Sequence, residues 1–138
     1  MKALLLRDAA LVFLGGGLGA VARILLDAPS WGPWVPANFL ACLLMGASAA
    51  WLTAAPPAEP FARLWRALVH TGFLGGLSTF SVLSIAACLS SGAESLAPGA
   101  LLAASLRLLE LLAGFFLACL AGNLSVRLLI AILRRRRG

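Results

Sequence analysis

The chain has 138 residues, 62% of them hydrophobic and 12% charged, with a net charge of +6 and a mean hydropathy of +0.99. A soluble domain of this length could not hide so much apolar surface, so the composition predicts an all-α membrane protein built from apolar runs of about 20 residues. The positive charge, which in a soluble protein would suggest nucleic acid, is better explained by membrane topology.

The first predicted span covers residues 4–26. Lys2, Arg7 and the apolar run after them superficially resemble a signal peptide, but Asp8 interrupts the basic region and Gly15 to Arg23 offers no convincing cleavage pattern. The segment is therefore read as a retained span. Its cluster Gly15-Gly16-Gly17-Leu18-Gly19-Ala20 permits close helix approach. No strand precedes it, so it is not a phosphate loop. Arg23 lies within a turn of Asp27. It can snorkel to the outer interface beside that carboxylate, and it can raise the local anion concentration through its field; the two readings are compatible.

Pro29, Gly32, Pro33 and Pro36 lead into the second span, residues 35–55. Near its start stands Asn38, whose unpaired amide would cost about 1–3 kcal/mol in an apolar setting. Either it bonds local backbone at the helix start, or it faces an aqueous path as a neutral N–H donor. Such a donor coordinates an anion without trapping it by a full charge.

The third span, residues 64–89, contains Gly72-Phe73-Leu74-Gly75-Gly76-Leu77-Ser78-Thr79-Phe80-Ser81. Each glycine costs a helix about 1 kcal/mol relative to alanine, so a helix broken at mid-membrane is predicted. Irregular backbone is tolerated at depth only where protein buries it or a polar cavity adjoins it. A broken helix with free carbonyls and amides is a common way to build an ion site. Close packing through small residues is the competing reading. Thr79 and Ser81 supply hydroxyl donors, and the ring of Phe80 has a partially positive edge that an anion can approach.

The fourth span covers residues 100–124, followed by a basic tail over 125–138. Arg107 and Glu110 share one helical face and can pair. If the span begins near Leu108 the pair lies at the outer interface, which is the preferred reading; if it begins near Ala100 the pair is intramembrane and functional. Asn123, Ser125 and Arg127 read as boundary residues. Arg134 to Arg137 form an anchor attracted to anionic lipid.

An even number of spans places both termini on one side. That side collects Lys2, Arg7, Arg63, Arg66 and Arg134 to Arg137, whereas residues 27–35 and 90–99 hold no Lys or Arg. Both termini of this multi-pass cell-membrane protein are therefore expected in the cytoplasm. Trp31 and Trp34 flank one face of the bilayer, Trp51 and Trp65 the other. Cys42, Cys88 and Cys119 all fall within spans, arguing against a disulfide framework or metal cluster; they read as small packing residues. The single histidine, His70, has no ligand partners at suitable spacing and reads as a packing or interface residue. With one histidine and no acidic pair at depth, no enzyme machinery is visible.

The set Gly15-Gly16-x-x-Gly19-Ala20-x-x-Arg23, Asn38 with Gly46, and Gly72 through Ser81 resembles the signatures of the Fluc/CrcB fluoride channels in order, spacing and placement. The resemblance implies an antiparallel, dual-topology-type dimer with two pores at its interface, exporting F⁻ passively and relieving fluoride toxicity. It assigns Asn38 as a fluoride-coordinating amide and Phe80 as the first phenylalanine of an aromatic box. Thr79 and Ser81 become the hydroxyls around that box, and Arg23 the first-span arginine. It implies a structural Na⁺ at the dimer interface, held by the carbonyls of Gly75 and Ser78. The chain departs from the family's pattern at Leu83, where a second box phenylalanine is expected, at Ala41 and Cys42 in the second span, and in the fourth span, which is mostly Leu and Ala.

Two other functions compete. A small multidrug-resistance-type transporter would need a mid-membrane carboxylate, but Asp8 and Asp27 sit at the ends of the first span. A non-conducting partner subunit would fit Leu83 and the sparse fourth span. The charge bias predicts that nearly all copies insert one way, so an antiparallel dimer would need a second, oppositely oriented homologue; a heterodimer is expected, with a homodimer as the alternative.

Overall fold

The computed structural model describes residues 2–26, 35–79, 88 and 98–136. Asp27, Trp31, Trp34, Phe80, Ser81 and Leu83, all named above, lie outside the described residues. Helix α1 spans Lys2–Leu25 and α2 spans Val35–Ala54. The next helix has three segments: α3 (Glu59–Trp65), a π-helical stretch (Arg66–Phe73) and the short α4 (Leu74–Leu77). The last, α5, covers Pro98–Arg135. Three of these, over Leu4–Leu25, Val35–Ala54 and Pro98–Arg135, are long and apolar enough to cross a membrane. At 1.5 Å per residue the 20 residues of α2 reach about 30 Å, the thickness of a hydrocarbon core. The 38 residues of α5 extend well beyond that and carry the basic tail as regular helix.

The chain's prolines set the helix ends. Pro36 and Pro60 sit in the first turns of α2 and α3, and Pro98 is the first residue of α5, where a missing N–H costs nothing. Pro56 and Pro57 stop α2 at Ala54. The exposed carbonyl of Ala54 accepts a 2.6 Å bond from the Arg134 guanidinium, a cation placed at the negative end of the α2 dipole.

The helices pair in two parallel couples. Helix α1 packs along the π-helical stretch and α4, while α2 packs along α5. Both seams are backbone against backbone. A Cβ on Gly19 would overlap the Phe73 carbonyl, and one on Gly76 the Gly16 carbonyl. In the other couple, Gly46 lies against the Cys119 carbonyl and Gly122 against that of Leu43. Small residues thus let main chains meet where no water-driven collapse acts between helices. The first couple is also tied by Asp8, which accepts a 2.8 Å bond from Nε of Arg63. The couples join where α2 crosses α4, through a core of Ala37, Ala41, Leu74 and Leu77. A second cluster, of Val35, Leu111 and Phe115, lies between α2 and α5, while many other large side chains point outward: Phe13 is 81% and Leu25 80% exposed, as suits helices facing lipid.

Candidate functional site at the end of α4

The glycine-rich sequence does interrupt the helix. Helix α4 ends at Leu77, and Ser78 is extended, with φ −86° and ψ 149°. The Ser78 N–H still bonds the Leu74 carbonyl at 3.0 Å. The next amide does not continue the ladder: the Thr79 N–H donates instead to Asn38 Oδ1 at 2.8 Å. Asn38 is 5% exposed and sits in the first turn of α2. An adjoining core layer, of Ala37 and Ala41 against Leu74 and Leu77, fixes the distance between the two elements.

Two consequences follow from that bond. Its donor is a backbone N–H, so the acceptor atom must be the amide oxygen, and the Asn38 NH₂ donors are turned away from Thr79. The Gly75 carbonyl, for its part, has lost its helical partner, because the amide four residues on is committed to Asn38. Among the described residues its donor is the Ser78 hydroxyl at 3.4 Å, a long contact for an O–H···O bond. Gly75 is exposed, and among the described residues nothing lies within 4 Å of where its Cβ would stand. The break therefore presents an amide oriented by backbone on one element and a weakly satisfied carbonyl on the other.

Of the other candidate residues, Thr79 joins Asn38 directly. Arg23 is half-buried near the end of α1, one helical turn beyond Gly19, which contacts Phe73 and Leu77. Phe80 and Ser81 lie outside the described residues.

Sequence reasoning missed three features. One is the π-helical stretch immediately before the break; wide turns of this kind recur at functional sites. Its sequence, RALVHTGF, holds no breaker before Gly72 that would have announced it. Another is Ser48, 7% exposed, whose hydroxyl accepts from Trp65 Nε1 at 2.8 Å and lies 3.2 Å from His70 Nδ1. The third is Asn123, read above as a boundary residue. Its amide donates to the Gly46 carbonyl at 3.3 Å and its oxygen accepts from Arg127 Nε at 2.8 Å, so it clasps α2 to α5. A polar side chain opposite a glycine seam is the signal that could have found it.

Apolar spanning helices sealed by glycine contacts, with one helix interrupted at a buried amide, define a multi-pass membrane protein with a polar site at a helix break. The chain belongs to the CrcB-like family: residues 10–123 match the family described as "CrcB-like protein, Camphor Resistance (CrcB)". A relative named "Fluoride-specific ion channel FluC" from Proteus mirabilis is 35% identical over 88 residues, 59% of this chain and 68% of the relative. Relatives of the same name from Escherichia coli O139:H28 and Salmonella arizonae are each 37% identical over 81 residues. Those matches span 53% of this chain and 61% of each relative, less than two thirds of their length.

Proposed function

We propose that the protein is a subunit of a fluoride-selective channel that lets F⁻ leave the cytoplasm passively. The observation that carries this reading is the Thr79 N–H···Oδ1 Asn38 bond, which fixes a buried neutral amide beside the helix break. A small, strongly hydrated anion must exchange its water shell for weak donors, and a full positive charge at that point would hold it too tightly to conduct. The Asn38 amide, with the hydroxyls of Thr79 and Ser81, the edge of Phe80 and the field of Arg23, makes up the pathway. Na⁺ would be held by the Gly75 and Ser78 carbonyls, and the exposed, unobstructed position of Gly75 suits contact with a second subunit. Such an ion would fix the two breaks against each other. The transporter reading loses ground because Asp8, the carboxylate at the start of the first span, is paired with Arg63 at 2.7 Å.

Purified protein in liposomes is expected to release F⁻ and retain Cl⁻, read with ion-selective electrodes after adding a K⁺ ionophore. Equal release of both halides sinks the selective channel, and release of neither favours the non-conducting subunit that Leu83 suggests.

In this reading both termini face the cytoplasm and the second subunit is an oppositely oriented homologue. The basis is charge: Lys2, Arg7, Arg63, Arg66 and Arg134 to Arg137 lie at one end, and orientation follows such bias. Ser91→Cys and Gly138→Cys variants, in a background without native cysteines and expressed alone in cells, should label from opposite sides, each from one side only. Comparable labelling of both positions from both sides would make the chain dual-topology and the dimer a homodimer.

A further inference from the structure

A cavity of about 570 Å³ opens between α2 and α5, lined by Val35, Phe39, Arg107, Glu110, Gly114 and Leu117, among others. Phe39, which lines it, meets the Phe115 ring behind it edge to face, 4.7 Å apart at 71°. Its mouth is charged. Arg107 Nη1 donates to Glu110 Oε2 at 2.5 Å, three residues along α5. The side chains are 45% and 67% exposed. The depth of this pair follows from the parallel packing of α2 and α5. Val35, the first residue of α2, packs against Leu111, and Phe39 against Phe115. Arg107 therefore stands one turn above the start of α2, and Glu110 level with it. With the start of α2 taken as the membrane boundary, this is the interfacial placement, although α5 itself begins at Pro98. From Arg107 to Leu117 the wall of the cavity descends about 15 Å along α5.

The position is electrostatically distinctive. Residues 24–62 and 67–106 contain no Lys or Arg, so at the end of the bundle away from the termini the cations are Arg23 and Arg107. Of the five N–H donors on the Arg107 guanidinium, the bond to Glu110 engages one on Nη1, and Arg107 itself lines the cavity. An exposed i,i+3 pair does little for stability. A cation at the rim of an apolar-walled cleft, however, focuses its field inward and raises the local concentration of anions.

We infer that Arg107 and Glu110 form an electrostatic mouth that collects small inorganic anions ahead of the Asn38 site, with Arg107 attracting and Glu110 keeping the attraction shallow enough for release. This inference rests on the channel reading above. It predicts a dependence on anion concentration and ionic strength that a structural ion pair would not produce.

The test is initial F⁻ flux in proteoliposomes carrying the full chain, with its partner subunit if flux requires one. Flux is measured over a series of fluoride concentrations at about 0.01 M and 1 M total salt, where the screening length is about 30 Å and 3 Å. Arg107→Gln should lower flux at low fluoride and low salt by about tenfold, the lower end of charge-focusing effects, and by progressively less as fluoride or salt rises. Glu110→Gln should raise flux under the same dilute conditions. Arg107→Lys, which keeps the charge, should restore most of what glutamine loses. A wild type that passes no fluoride overturns the channel reading and the mouth with it. A conducting wild type with Arg107→Gln unchanged, or slowed equally at every fluoride and salt concentration, overturns the mouth alone. So does a variant in which lysine fails to rescue.

Discussion

Asn38→Asp is expected to abolish fluoride flux while leaving the protein folded. Aspartate keeps a side-chain oxygen where the Thr79 N–H donates at 2.8 Å, so the helix break retains its anchor. On the proposed pathway, the charge it adds faces the place where the anion would shed water. Two like charges 4 Å apart repel by about 4 kcal/mol at an effective dielectric constant of 20, which as a barrier amounts to about a thousandfold in rate. Undiminished flux would show that Asn38 is not on the path. Asn38→Leu should fail differently. It removes the acceptor and strips a part-buried N–H of this bond, at a cost of up to about 1–3 kcal/mol unless it finds another partner. The nearest alternative is the Gly75 carbonyl four residues back, which would lengthen α4 and consume the oxygen proposed to hold Na⁺. Thermal unfolding in detergent with Na⁺ or with a large organic cation separates the two variants: the aspartate protein should keep any Na⁺-dependent stabilisation and the leucine protein should lose it. Identical Na⁺ responses in the two would detach Asn38 from the cation site.

The residues that make this site were legible because each is chemically out of place. An amide in an apolar run and three glycines before a Ser-Thr pair are costly choices, and the structure brings Asn38 and Thr79 into one bond. Both ends of α2 could be read because proline and the switch in hydropathy mark them, whereas the third helix starts at Glu59, ahead of the predicted span, and α5 runs on to Arg135, beyond it. Pairing was less visible. Gly15 and Gly19 announced close helix approach, and Gly76 stood in the competing small-residue reading of the break, but which helices pair, α1 with the π-helical stretch and α2 with α5, is set by the three-dimensional packing. A π-helix depends on backbone hydrogen-bond register, which side-chain patterning does not encode. The depth of Arg107 and Glu110 was open for a related reason: α5 is a 38-residue helix, longer than a bilayer, and composition alone cannot place its register. The packing of Val35 against Leu111 sets the register of α5 against α2, with Arg107 one turn above the start of α2.

Gly76→Ala is expected to destabilise the bundle by about 3 kcal/mol or more, beyond the usual 1–3 kcal/mol for overpacking, because the obstruction is main chain. A methyl group there would overlap the Gly16 carbonyl and stand 2.8 Å from Gly16 Cα. Neither atom can rotate away as a side chain would, so α1 must move bodily from α4. The seam contains Gly19 against Phe73 and Gly15 against Leu68, so the displacement would spread along it to the break at Ser78. Gly17→Ala is the matched control. Its neighbours leave more than 4 Å of open space, and alanine favours helix over glycine by about 1 kcal/mol, so that variant should melt at or above the parent. Gly75→Ala probes a different contact. Among the described residues nothing obstructs a methyl group there, so the isolated fold should tolerate it. If Gly75→Ala nonetheless breaks up the assembled species on size exclusion, the space beside Gly75 belongs to a second subunit. Melting temperature and elution volume together distinguish these results. Equal melting of Gly76→Ala and Gly17→Ala would mean that backbone contact between α1 and α4 does not hold the break in place.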